Sequence, residues 1–265
     1  MTGRRVLVTG AASGLGAALT AAFRERGDEV LATDLPSVVE ERAERALKPL
    51  HPLDITSDAD WQAAVAAVRE RWGGLDVLVN NAGVAGGGRV DVCTLEEWQW
   101  ITDINLFGAV RGTRAFVPML KDQRSGHLVN VASLAGLVHP AGMASYNAVK
   151  AAVVAFTETC GHELASYGIR ASVVCPSYFR TNLMDSMQGS DDVVGQVVGQ
   201  LVERSRVTAE EIAAAVLAGI DAGEQVIVPD EAARQAFRLK WADRHGYDAV
   251  MRDQAAKLDA LGGAR

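Results

Sequence analysis

The sequence predicts an α/β fold: one doubly wound parallel sheet of seven strands, with helices on both faces and a helical C-terminal tail. Three observations predict it. Short apolar runs alternate with longer stretches of helical periodicity over residues 1–230, the pattern of strands joined by helical crossovers. The runs are continuous in Val, Ile and Leu, as in strands covered on both faces. No linker, low-complexity tract or composition break interrupts the 265 residues. The whole of 1–265 therefore reads as one domain, with a core over 1–230 and a tail over 231–265.

Val6-Leu7-Val8 is the first strand. A Gly-rich turn leads from it into a helix over Ala17–Arg26, where Ala18, Leu19, Ala22 and Phe23 recur at helical spacing. Gly27 ends that helix, and Glu29–Thr33 is the second strand. Leu50–Leu53 is a weak third strand and Trp61–Trp72 a helix; Asp58 and Asp60 suit the positive end of its dipole. Gly73-Gly74 stops it before the strand Val77–Val79. Leu95–Val117 reads as mostly helix, His127–Val131 as a strand, and Ser145–Tyr167 as a long helix. Ile169–Cys175 is the sixth strand, Ala209–Ile220 a helix, and Gln225–Val228 the last strand. The tail carries Phe237, Trp241, Tyr247 and Met251 among Ala and charged residues, as one or two amphipathic helices would.

Composition excludes several classes. With 49% hydrophobic and 22% charged residues, the chain buries enough apolar surface to offset its chain entropy and is not disordered. A net charge of −7 offers no basic stripe for nucleic acid or an anionic membrane; it keeps the protein soluble. Cys93, Cys160 and Cys175 are widely spaced. They match no metal-ligand spacing and no disulfide framework, which fits a reducing, cytoplasmic location without a metal site. The start of the chain leaves no room for a signal peptide, and no apolar run is long enough to span a membrane.

The first candidate site is Thr9-Gly10-Ala11-Ala12-Ser13-Gly14-Leu15-Gly16. A strand that turns straight into a helix exposes unpaired N–H groups, and glycines let a phosphate approach them. The spacing meets the common dinucleotide fingerprint only in part. Asp34 ends the next strand. A carboxylate there accepts from both hydroxyls of an adenosine ribose and repels a 2′-phosphate. No Lys or Arg lies in Leu35-Pro36-Ser37 or in the glycine loop, so NAD is expected over NADP. Asp54-Ile55 follows the third strand, where an acid can meet the adenine amino group.

Tyr146 and Lys150 lie four apart, on one face of a helix. A nearby ammonium favours the phenolate, which lets a Tyr exchange a proton with an alcohol or a carbonyl. Ser133 ends the fifth strand and Asn80-Asn81-Ala82-Gly83 the fourth, both at the carboxyl edge where open α/β sheets bind ligands.

These motifs resemble those of the short-chain dehydrogenase/reductase family, and the resemblance spans roughly residues 4–230. The T-G-x-x-x-G-x-G loop is Thr9–Gly16, N-N-A-G is Asn80–Gly83, the Ser is Ser133, and Y-x-x-x-K is Tyr146 and Lys150. The family's relay Asn matches Asn105. The resemblance implies a Rossmann-type fold and hydride transfer between NAD and a secondary alcohol or ketone. Tyr146 would be the general acid/base, with Lys150 lowering its pKa and holding the nicotinamide ribose. Ser133 would orient the substrate oxygen, and Asn105 would hold a relay water. The implied cofactor contacts are Gly10, Ser13, Gly14, Leu15, Gly16, Asp34, Asp54, Ile55, Asn81, Ala82, Gly83, Tyr146, Lys150, Pro176, Phe179 and Thr181. One departure stands out: Ser177 follows Pro176 where the family usually has Gly, which leaves the local backbone angle and the pocket floor open.

The substrate wall is expected from Ser133, Met143, Tyr146, Tyr178 and Met184, with Leu183, Met187 and Leu134 nearby. Such apolar, adaptable side chains suit a mostly apolar substrate. His139 is read as structural or surface, and the tail aromatics as packed on the sheet or a neighbour rather than over the pocket. The resemblance also implies a homodimer or homotetramer. Two alternatives stand beside the dehydrogenase reading. A 3-oxoacyl-carrier-protein reductase usually favours NADP, which Asp34 opposes. A non-catalytic NAD-sensing protein would carry a broken Ser/Tyr/Lys set, and here the set is whole.

Overall fold

The computed structural model describes residues 3–181 and 186–262. Its seven strands are β1 (Arg5–Thr9), β2 (Glu29–Asp34), β3 (His51–Pro52), β4 (Val77–Asn80), β5 (Gly126–Val131), β6 (Ile169–Val174) and β7 (Val226–Ile227). They form one sheet in the order β3-β2-β1-β4-β5-β6-β7, and every pairing is parallel. The doubly wound α/β expectation holds.

Each strand feeds two cores because successive side chains point to opposite faces. Val6 and Val8 join Val77, Val79, Leu19, Phe23, Ile212 and Val216 on one face. Leu7 joins Leu78, Leu128, Trp61, Phe116 and Leu120 on the other. The first face is covered by α1 (Gly14–Glu25) and α9 (Ala209–Ala222), the second by α3 (Asp58–Trp72), α5 (Gly108–Gln123) and α7 (Ala144–Leu164). Two apolar faces on every central strand explain why the strand runs are continuous rather than alternating.

Three helices went unread in the sequence. The first, α2 (Pro36–Glu44), begins on Pro36 and buries no residue, so it has no apolar stripe. The second, α6 (Ala135–Val138), is a single turn. The third, α8 (Asp192–Arg204), has Asp191 as N-cap and buries Val194 and Val198; Gly195 and Gly199 blur its pattern. The expected helix over Leu95–Val117 is α4 (Leu95–Thr102) and α5, joined by a π-helical turn over Asp103–Phe107. The third and last strands shrink to two residues each. The tail forms α10 (Glu231–Ala242) and α11 (Arg244–Gly262). Among the described residues, no helix is long and apolar enough to cross a membrane.

Candidate active site

The strand order reverses between β2-β1 and β4-β5, so the loops after β1 and β4 diverge and leave a crevice. A hydrogen-bond clasp holds its floor. Thr9 Oγ1 accepts from the Asn81 and Ala82 N–H groups at 3.0 Å each. Asn81 Nδ2 donates to Thr9 O at 2.9 Å and to Gly10 O at 3.3 Å. Gly10 and Gly14 sit at φ +65 and +52, where a side chain is strained. A Cβ on Gly10 would lie 2.9 Å from Ala82 Cα, and one on Gly14 2.6 Å from Thr181 Oγ1. A Cβ on Gly16 would lie 2.1 Å from Gly10 O. This cradle, closed to any Cβ at the start of α1, fits a dinucleotide pyrophosphate.

Asp34 ends β2 beside the cradle. Its Oδ2 accepts from Ala12 N–H at 2.8 Å and its Oδ1 from Leu35 N–H at 2.9 Å. Two backbone N–H groups thereby fix the carboxylate at this end of the crevice. The structure also brings in a cation that no local reading could place. Arg42 on α2 donates through Nη1 to Ala12 O at 3.4 Å, and its Nε is buried without a partner.

Across the crevice, β5 delivers Ser133 and α7 delivers Tyr146 and Lys150. Burial pushes the Tyr146 phenol up to about 12; a hydrogen bond with Ser133 acts against that rise, and Tyr178 adds to it. Burial also lowers the Lys150 ammonium to about 8. Lys150 Nζ donates to Val131 O at 3.2 Å and lies 5.6 Å from the Tyr146 ring centroid. Burial is thus the first cause acting on the Tyr146 phenol in this geometry. Desolvation of a phenol 8% exposed outweighs an ammonium held over its ring and turned to a carbonyl.

One cavity of about 650 Å³ runs from Asp34 to the tail. Every expected cofactor residue lines it: Gly10, Ser13, Gly14, Leu15, Gly16, Asp34, Asp54, Ile55, Asn81, Ala82, Gly83, Tyr146, Lys150, Pro176, Phe179 and Thr181. Of the expected substrate wall, Ser133, Met143, Tyr146 and Tyr178 line it as well. Met184 and Leu183 lie outside the described residues. Asn105 does not line the cavity. It stands behind the wall, where its Oδ1 accepts from Val84 N–H at 2.8 Å and its Nδ2 donates to Val84 O at 3.0 Å. The π-helical turn carries it there, and a Cβ on Gly83 would meet its Oδ1 at 2.7 Å. His139 is exposed and bound to Lys240 Nζ at 2.7 Å.

Ser177 leaves the left-handed region to glycine, since the non-glycine residues at positive φ are Ala46, Arg124 and His139 among those described. The open question of its backbone angle closes. Its Oγ donates to Asp230 Oδ1 at 2.7 Å and its N–H to Asp230 Oδ2 at 2.9 Å. Asp230 also caps α10 by accepting from Ala233 N–H at 2.8 Å. The residue in place of glycine thus ties the loop after β6 to the tail.

Helix α8 and the tail also supply wall residues that sequence reasoning missed. Met251 and Gln254 of α11 and Val198 and Val202 of α8 line the cavity. The tail aromatics do not. Tyr247 packs in a core with Val138, Val153 and Val173, Phe237 packs against it, and Trp241 is 75% exposed. The signal that finds the wall is the helical spacing of Tyr247, Met251, Gln254 and Leu258.

The family model described as short chain dehydrogenase matches residues 4–191. The chain is 36% identical to a 2-(R)-hydroxypropyl-CoM dehydrogenase of Xanthobacter autotrophicus, over 83% of this chain and 92% of that protein. Among solved structures it resembles a short-chain dehydrogenase/reductase of Burkholderia phymatum in complex with NAD. That match has a TM-score of 0.82 and 28% identity, over 91% of this chain and 94% of the other. A short-chain dehydrogenase of Burkholderia cenocepacia in complex with NADP gives a TM-score of 0.77 and 28% identity, over 94% and 97%.

Proposed function

The chain belongs to the short-chain dehydrogenase family, and on that premise we propose that it oxidises or reduces a mostly apolar secondary alcohol or ketone with NAD(H). It is an oxidoreductase acting on an alcohol or carbonyl; the cofactor preference, the substrate and the residue roles are our reading. The observation that carries it is the convergence of Ser133, Tyr146 and Lys150 on the cavity that holds the glycine cradle.

The nicotinamide, when bound, supplies or accepts the hydride. The protein's part is to move one proton and hold one oxygen. Tyr146 gives its phenolic proton to the carbonyl oxygen, or takes it from the alcohol. Its raised pKa keeps the phenol protonated at neutral pH, as donation to a carbonyl requires; taking a proton from an alcohol requires the phenolate, which the Lys150 ammonium favours. Ser133, which lines the cavity with Tyr146 and whose hydroxyl acts on the Tyr146 phenol, is set to hold the same oxygen. Lys150 stays largely protonated at neutral pH and counters the phenolate that forms when Tyr146 gives up its proton. Asn105 is a positioning residue that braces the Val84 backbone.

Asp34 supports NAD, because a carboxylate fixed at the ribose end repels a 2′-phosphate. We read 1–265 as one cytoplasmic domain that assembles as a homodimer or homotetramer on small-molecule substrates. The decisive experiment is a panel of secondary alcohols with NAD or NADP, followed by absorbance of the reduced cofactor, for wild type and Tyr146→Phe. The variant is expected to bind NADH like wild type and lose at least about a hundredfold in turnover. Near-normal turnover would remove Tyr146 from its role, and equal or better use of NADP would overturn the cofactor assignment.

A further inference from the structure

Helix α11 presents one stripe to the body of the protein: Tyr247, Met251, Gln254 and Leu258, spaced four, three and four apart. Tyr247 and Leu258 are 5% exposed, and Leu258 packs in a core with Met143, Tyr146 and Val198. Gln254 is the polar member of this otherwise apolar or aromatic stripe. It is half-buried, it lines the cavity, and its amide finds no hydrogen-bond partner among the described residues. Its amide is not among the buried polar atoms left without a partner, so water reaches it, and a substrate group that displaces this water must replace its hydrogen bonds.

The helix that carries it is fixed. Tyr247 donates its hydroxyl hydrogen to Val138 O. Lys240 Nζ donates to Leu137 O at 2.6 Å, and Asp230 ties the start of the tail to Ser177. Gln254 therefore sits at a set position across the cavity. The charges on the described cavity wall are Asp34 and Asp54 at the nucleotide end and Lys150 beside Tyr146. The same cavity is lined by Val198 and Val202 of α8, by Met251 one turn before Gln254, and by Ser186 and Met187.

We propose that Gln254 is a specificity-determining residue that selects substrates with a second, uncharged hydrogen-bonding group remote from the reacting carbon. This rests on the dehydrogenase reading above. An apolar body fills the Val and Met wall, and a distal hydroxyl, carbonyl or amide meets the Gln254 amide, which both donates and accepts. A distal carboxylate or phosphate has no cation on this described wall and pays for its desolvation unpaired.

The test uses the full chain with NADH and methyl ketones of increasing length, each ended by a methyl, a hydroxyl or a carboxylate. Wild type is expected to favour the hydroxyl-ended ketone over its methyl-ended counterpart by roughly tenfold in kcat/KM at the best length, and to reject the carboxylate. Gln254→Leu is expected to bring the hydroxyl-to-methyl ratio near one, through KM rather than kcat. Gln254→Glu, nearly isosteric and still an acceptor, is expected to keep the hydroxyl preference. A wild-type ratio near one at every length overturns the proposal. So does a parallel loss on all ketones in both variants, or misfolding of both, since either makes Gln254 structural. If NADH binds but no ketone is reduced, the dehydrogenase reading itself falls; reduction without discrimination removes Gln254 alone.

Discussion

The link between Ser177 and Asp230 can be broken from either side, and its strength worked from the geometry. Asp230 is 7% exposed and accepts three hydrogen bonds: from Ser177 Oγ at 2.7 Å, Ser177 N–H at 2.9 Å and Ala233 N–H at 2.8 Å. Ser177→Gly removes the first. A hydrogen bond to a charged acceptor contributes about 1.5–3 kcal/mol, and the added freedom of glycine in the unfolded chain costs about 0.5–1 kcal/mol more. The expected loss is therefore about 2–4 kcal/mol. Asp230→Ala removes both Ser177 bonds and the cap of α10, and should cost at least as much. Urea unfolding at one protein concentration, followed by circular dichroism, gives each value. The double variant then completes a cycle, with an expected coupling of about 1–3 kcal/mol. A Ser177→Gly protein within about 0.5 kcal/mol of wild type, or additive single changes, would refute the tether.

Three further outcomes are expected. Burial, helped by Arg170, lowers His127 to about 4 in the folded protein, against an ordinary value of 6.5. The unfolded chain thus binds the extra proton first. Stability from His127 is complete above about pH 6.5 and falls by roughly 3 kcal/mol as pH drops through 4; urea midpoints for wild type and His127→Gln should converge toward low pH. Gly112→Ala should cost about 1–3 kcal/mol, because its Cβ would meet Asn80 Oδ1 at 2.4 Å and Trp61 Cη2 at 2.5 Å. Trp61 cannot yield, being 1% exposed and held by Nε1 to Ile55 O at 3.0 Å; a thermal melt unchanged from wild type would contradict this. Asp34→Ser should shift the NAD-to-NADP ratio of kcat/KM at least about tenfold toward NADP, and Arg42→Ala in that background should reverse much of the shift. A ratio indifferent to Asp34 would move the selectivity elsewhere.

How much was legible varied with how local the signal was. The central strands were readable because both of their faces are buried, and burial writes itself into a run such as Val6-Leu7-Val8. Helix α2 was not, because it buries nothing and leaves no periodicity to read. The glycine loop, Asp34, Ser133, Tyr146 and Lys150 were readable because the chemistry demands those residue types at strand ends or four apart on a helix. Asn105 was readable as a residue, but its bonds to the Val84 backbone, set by the π-helical turn, could not be read from neighbours in sequence.

The sequence by itself determined the sheet, the position of the cradle and the grouping of Ser133, Tyr146 and Lys150 on one cavity, since each depends on neighbours within a few residues. Only the tertiary structure decided what closes the site. Ser177 meets Asp230 across 53 residues, Arg42 reaches Ala12 across 30, and Tyr247 binds Val138 across 109. The raised pKa of Tyr146 belongs with these, because its first cause is burial by the folded chain rather than its partner four residues on. Gln254 joins them for the same reason: only through the packing of α11 does its side chain line the cavity.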